Sequence, residues 1–166
     1  MNKKFRFIKQ ILSMALAITL VSSFGTLEIK ADGFKDLGKV VDGSKLTNES
    51  MSEDIQTTVT RGNILNQGVA KITDLGNSTV NVYGSATAFV VCDRIMMKLT
   101  LQRYSGGTWY NVQTFEDTNY NASTLTKSYN VSVAGGYYYR VKGACQAKKG
   151  STTESKTPTT DGIWID

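Results

Sequence analysis

Between residues 61 and 166, the side chains that could carry chemistry are seven carboxylates, Asp74, Asp93, Glu116, Asp117, Glu154, Asp161 and Asp166, and two thiols, Cys92 and Cys145. The 166-residue chain contains no histidine. That removes the usual general base, the commonest zinc ligand and any Ser-His-Asp arrangement, and it leaves neither thiol an imidazole to draw off its proton. Catalysis would have to rest on carboxylates. A glycosidase needs two of them across one cleft, yet Glu116 and Asp117 are adjacent and point to opposite faces of an extended strand. The stretch "FEDTNYNAS" offers Glu116, Asp117, Asn119 and Asn121 as oxygen ligands for calcium, but loops of β proteins carry such residues for turn reasons alone. The carboxylates therefore read as surface and turn residues. No catalytic residue, metal or cofactor is expected.

The elements that would position any site are strands. "STVNVYG" and "SATAFVVC" put Val80, Val82, Ala86, Ala88, Val90 and Cys92 on one parity, and "IMMKLTLQR" sets Ile95, Met97, Leu99 and Leu101 against Met96, Lys98, Thr100 and Gln102. "GG" at 106 to 107 turns the chain into "TWYNVQTF", "SYNVSV" follows, and a second "GG" leads into "YYYRVKGACQA". There Tyr137, Tyr139, Val141, Gly143 and Cys145 share one face, and Tyr138, Arg140 and Lys142 share the other. "DGIWID" closes the sequence. Short strands at this spacing, with a single proline, predict an all-β antiparallel sandwich over residues 61–166.

The spacing Tyr137, Tyr139, Val141, Gly143, with Val131 upstream, resembles the penultimate strand and tyrosine corner of fibronectin type III-like domains. "KLTLQRYSGGTWYNVQ" looks like the strand pair before it, and "KKGSTTES" looks like the last hairpin. The tryptophan usual on the second strand of that fold is absent, and Phe89 or Cys92 occupies its region. Together with Arg61-Gly62, the Leu101–Val112 hairpin and "YYRVKG", the chain also resembles a group of short secreted proteins of Gram-positive bacteria whose shared domain has no assigned function. The resemblance implies secretion and a fibronectin type III-like or immunoglobulin-like sandwich, and implies no activity. Cys92 and Cys145 would face each other across it, as an inter-sheet disulfide or as two small buried thiols.

The N-terminus carries Lys3, Lys4, Arg6 and Lys9 ahead of the uncharged run "ILSMALAITLVSSFG", the pattern of a secretory signal peptide. Cleavage is expected after Ala31, with Gly25 as the alternative, and no cysteine nearby invites lipidation. Residues 32–60 mix polar and charged groups without periodicity and read as a flexible leader with six acidic and three basic residues. Much of the formal net charge of +5 belongs to the first 31 residues, which hold five basic residues and one acidic one; 14 basic and 13 acidic residues remain. A chain so nearly neutral gives no ground for expecting nucleic acid, and "DGIWID" offers no tail for membrane anchorage.

On the outer face of the sandwich, Tyr138, Arg140 and Lys142 would lie beside Lys98 and Gln102, bordered by Tyr104 and Tyr110, with Trp164 a further candidate for that border. Such a basic, partly aromatic patch suits a glycan, a wall polymer or a protein surface. The expected protein is a secreted, extracellular, non-enzymatic binding module; a small secreted toxin-like or bacteriocin-like effector is the alternative. N-terminal sequencing of the exported chain should read from Asp32, whereas a start at Thr26 would place cleavage after Gly25.

Overall fold

A computed structural model describes residues 45–58 and 64–166. The expected signal peptide, its cleavage site and the first part of the leader lie outside these residues. The described chain is all-β, with eight strands: β1 (Leu46–Thr47), β2 (Met51–Thr57), β3 (Leu65–Asp74), β4 (Thr79–Ser105), β5 (Thr108–Ser132), β6 (Tyr137–Lys149), β7 (Thr152–Lys156) and β8 (Gly162–Ile165). They join one hydrogen-bonded mixed sheet in the order β1-β8-β6-β4-β3-β2, with β5 on β4 and β7 on β6. The β1–β8 pair is parallel and the other pairs are antiparallel. The sheet curls into a half-barrel.

The curl follows from the pattern of β4. Its core-facing apolar residues are even-numbered at first, Val80, Val82, Ala86, Ala88 and Cys92, and odd-numbered from Ile95 to Leu101, while Met96, Thr100 and Gln102 are buried on the other face. A strand that changes parity must twist or bend to keep its apolar side inward. β3 takes the first half of β4 and β6 the second, while β5 follows both halves and its register shifts between Thr87 and Cys92. The halves then close on each other. A methyl group at Gly84 would stand 2.6 Å from Leu99 Cδ2 and 2.7 Å from Met97 Sδ, and one at Gly143 would stand 3.3 Å from Ala70 Cβ. Inside the curl lie Leu65, Ile72, Val80, Val82, Ile95, Met97, Leu99, Leu101, Leu125, Val141, Ile163 and Ile165, all essentially buried. Tyr139 is part of this core, and its hydroxyl donates to the Ala134 carbonyl at 2.8 Å.

The stretch expected as a flexible leader enters the fold. β2 pairs with β3 from Met51↔Thr73 to Thr57↔Gln67. Its inward side chains are polar because they bond backbone: Ser52 Oγ accepts from the Asp161 amide at 2.9 Å, Asp54 Oδ2 from Thr159 at 2.8 Å and Gln56 Oε1 from Thr157 at 3.1 Å. The alternate groups of residues 157–161 turn to β6. The Pro158 carbonyl accepts from the Gly143 amide at 2.7 Å, and the Thr160 amide donates to Val141 at 3.0 Å. Pro158, which has no amide proton, sits where the segment needs only an acceptor.

Cys92 and Cys145 are free thiols, so the disulfide alternative is not realised. Cys145 stands opposite Met97, five positions along β4 from Cys92, roughly 16 Å of strand, whereas bridged α-carbons approach within about 7 Å. Cys145 Sγ instead donates to the Ser85 carbonyl and Cys92 Sγ to that of Val90. Burial pushes the Cys145 thiol up to about 12 and raises that of Cys92.

Gly84→Ala should cost about 1–3 kcal/mol by forcing Leu99 and Met97 out of place, and Asp54→Ala about 1–3 kcal/mol by leaving the Thr159 amide without its acceptor. Urea unfolding midpoints check both.

Candidate functional site

The convex face of β4 and β6 holds the residues expected to form a basic patch. The ladder places Gln102 opposite Arg140 and Thr100 opposite Lys142, as the patch requires. Burial does not follow. Arg140 is 1% exposed and Lys142 8%, and Gln102 is fully buried. These three are corrections to the expected solvent-facing patch.

For Arg140 the cause is Trp109, whereas Lys142 lies between Thr100 and Thr159. Between Leu101↔Gln113 and Gln102↔Asn111, β5 advances two residues while β4 advances one. This bulge at Val112 reverses the facing of the following residues. Trp109 therefore pairs with Tyr104 on the convex side, although it shares odd parity with the inward Phe115. Its indole covers Arg140, with the guanidinium carbon 4.3 Å from the ring centroid, and it crosses above Gly162, where a methyl group would come within 2.6 Å of Trp109 Cη2. Arg140 Nε donates to Gln102 Oε1 at 2.8 Å, and Gln102 Nε2 donates to Asn111 Oδ1 at 2.8 Å. Burial draws the guanidinium down to about 10, so it stays charged at neutral pH. A buried charge held by a cation–π contact and a hydrogen-bonded amide is an internal support for the face.

The other expected residues divide. Lys98 is bound to Glu116 across the ladder at 2.6 Å. Tyr104 packs tilted on Trp109, ring centroids 5.1 Å apart. Tyr110 pairs with Arg103 and, on the far side of the bulge, takes the opposite facing from Trp109; it is 49% exposed and leaves the patch. Tyr138 meets Trp164 edge to face at 5.0 Å, with its hydroxyl 3.4 Å from Asn48 Oδ1. Trp164 is 39% exposed, and its Nε1 donates to Asp166 Oδ1 at 2.7 Å. Tyr138 and Trp164 sit opposite each other on β6 and β8. What reaches solvent is thus an aromatic pair backed by a buried Arg–Trp–Gln cluster. Asn48 escaped the sequence reading because it lies in the stretch read as a leader.

Seven carboxylates, Asp54, Asp74, Asp93, Glu116, Asp117, Glu154 and Asp166, are tied to structural partners. Asp117 accepts from the Tyr129 hydroxyl and pairs with Lys127 at 3.0 Å. Glu154 Oε2 takes the amides of Ile64 and Leu65 at 3.0 and 2.8 Å, Asp93 takes that of Gly150 at 2.7 Å, and Asp74 takes that of Gly76 at 2.8 Å. "FEDTNYNAS" is part of β5, where Glu116 and Asp117 turn to different lysines and Asn119 donates to the Thr124 carbonyl. The chain matches no family model and no curated protein.

Burial and the hydrogen bond to Asp117 push Tyr129 up to about 12 from an ordinary 10. A raised folded-state value means that the folded protein holds this proton more tightly than the unfolded chain, so the stability it contributes is present below pH 10 and is lost as pH rises through 12. Ultraviolet titration should show one phenol ionising near pH 12 that disappears in Tyr129→Phe and moves down in Asp117→Asn.

Proposed function

We propose that this chain is a secreted, extracellular, non-enzymatic recognition module whose ligand is a glycan or wall polymer, or a protein surface presenting similar chemistry. The observation that carries the reading is the Tyr138–Trp164 pair: two adjoining aromatic rings, one of them 39% exposed, held on neighbouring strands of one sheet. Aromatic faces take up the apolar C–H faces of sugar rings, and Asn48 and Asp166 stand beside them to hydrogen-bond hydroxyls. The strands fix the rings in advance, which reduces the entropy lost on binding. The engagement of Asp93, Glu116, Asp117 and Glu154 and the raised thiols favour a binding role over a catalytic one.

We further read the half-barrel as related to fibronectin type III-like and immunoglobulin-like sandwiches. In its support, the Tyr139 hydroxyl reaches back five residues to the Ala134 carbonyl, the geometry of a tyrosine corner, and Gly84 and Gly143 let two layers of the curled sheet approach closely. The basic groups first expected to touch ligand, Arg140 and Lys142, have a supporting role here.

A binding screen of residues 32–166 against glycans and insoluble wall polymers tests the reading. Tyr138→Ala combined with Trp164→Ala should weaken the captured ligand by about tenfold or more while leaving the far-ultraviolet circular dichroism unchanged. Undiminished binding by that variant would remove the pair from the account. Arg140→Ala should act differently, lowering the unfolding midpoint because it empties the space beneath Trp109.

A further inference from the structure

At the outer bend of β4 the sheet exposes an apolar corner unrelated to the aromatic pair. From Thr87, opposite Thr124, to Cys92, opposite Ala122, four residues of β4 stand against one of β5. Ala88 still pairs with Leu65, and the Phe89 amide still donates to the Ile64 carbonyl at 2.9 Å, so the backbone is held. The side chains are outside: Phe89 is 53% exposed, Val90 39% and Val91 58%, and Tyr120 on the adjoining part of β5 is 68% exposed. A bend that served only to turn the chain would be built from glycine, asparagine or serine. A cluster of large apolar groups at a projecting corner marks a contact surface.

The charges around the corner indicate what it contacts. Tyr120, Arg94 and Lys148 form one row across β5, β4 and β6. Lys149 follows at the tip of the β6–β7 hairpin, which the Gly150 amide fastens to Asp93 Oδ2 at 2.7 Å. The two carboxylates of the neighbourhood, Asp93 and Glu154, are turned to backbone amides. Arg94 and Lys148 are half-buried and Lys149 is exposed. Phe89, Val90 and Val91 are consecutive and all exposed, the arrangement of a tip and not of side chains lining a groove. Apolar groups at the tip with cations around them match the order of layers at an anionic membrane surface, where phosphates lie outside the hydrocarbon.

We propose that this corner is a peripheral membrane-contact site: Phe89, Val90, Val91 and Tyr120 enter the interfacial layer of an anionic bilayer while Arg94, Lys148 and Lys149 meet its phosphates. The contact is reversible and sits apart from the Tyr138–Trp164 pair, so it stands or falls separately from the glycan reading.

Vesicle co-sedimentation of residues 32–166 tests it. The protein should pellet with mixed phosphatidylcholine and phosphatidylglycerol vesicles and stay in solution with phosphatidylcholine alone. Phe89→Ser with Val91→Ser should lower the apparent affinity by about tenfold or more, as should Lys148→Gln with Lys149→Gln; Phe89, Val91 and Lys149 are exposed and Lys148 is half-buried, and an unchanged far-ultraviolet circular dichroism checks that each pair still folds. Phe89→Trp should show a blue-shifted emission when the mixed vesicles are added. Failure of the unaltered protein to sediment with the anionic vesicles overturns the proposal, and so does an unshifted emission from the tryptophan variant. A dimer that forms without lipid and is dissolved by Phe89→Ser with Val91→Ser would also overturn it, assigning the corner to a second copy of the chain.

Discussion

A strand of 27 residues with an apolar side along its whole length cannot lie flat in water. β4 resolves this by bending between Ala88 and Ile95, where its core-facing parity passes from even to odd, and by closing its first half over its second. The rest of the sheet is arranged around that bend. β3 attaches to one half and β6 to the other, β5 accompanies both, and the core is what the two halves enclose. Gly84 is where the closure is tightest, because only a residue without a side chain lets Leu99 and Met97 approach its backbone.

The same bend links fold to surface. Four residues of β4 against one of β5 leave Phe89, Val90 and Val91 outside, so the device that forms the core also exposes its largest apolar corner. A second irregularity, the bulge at Val112, turns Trp109 to the convex face, covers Arg140 and leaves the Tyr138–Trp164 pair as the aromatic surface of that face. The register shifts by three residues at the first irregularity and by one at the second, and an odd shift moves the residues that follow from one face of a sheet to the other.

Two kinds of sequence reading met different fates. The strands around Val80, Leu99, Val141 and Ile163 were legible because alternation of apolar and polar residues is itself the signature of a half-buried strand. β2 was not. Its inward residues, Ser52, Asp54 and Gln56, are polar because they bond backbone amides of residues 157–161, which are remote in the chain. A strand whose inner face makes hydrogen bonds instead of apolar contacts looks like a linker when read alone.

By itself the sequence determined the all-β class, the alternation that sends Tyr139 inward and Tyr138 outward, and the absence of histidine and with it of histidine-based catalysis. Tertiary structure alone decided that Arg140, Lys142 and Gln102 are buried, that Tyr110 leaves the patch and that the two cysteines stay apart. The physical reason is range. Alternation is a property of neighbouring residues and survives in the sequence, whereas burial on the outer side of a strand depends on bulges and coverings contributed from far along the chain.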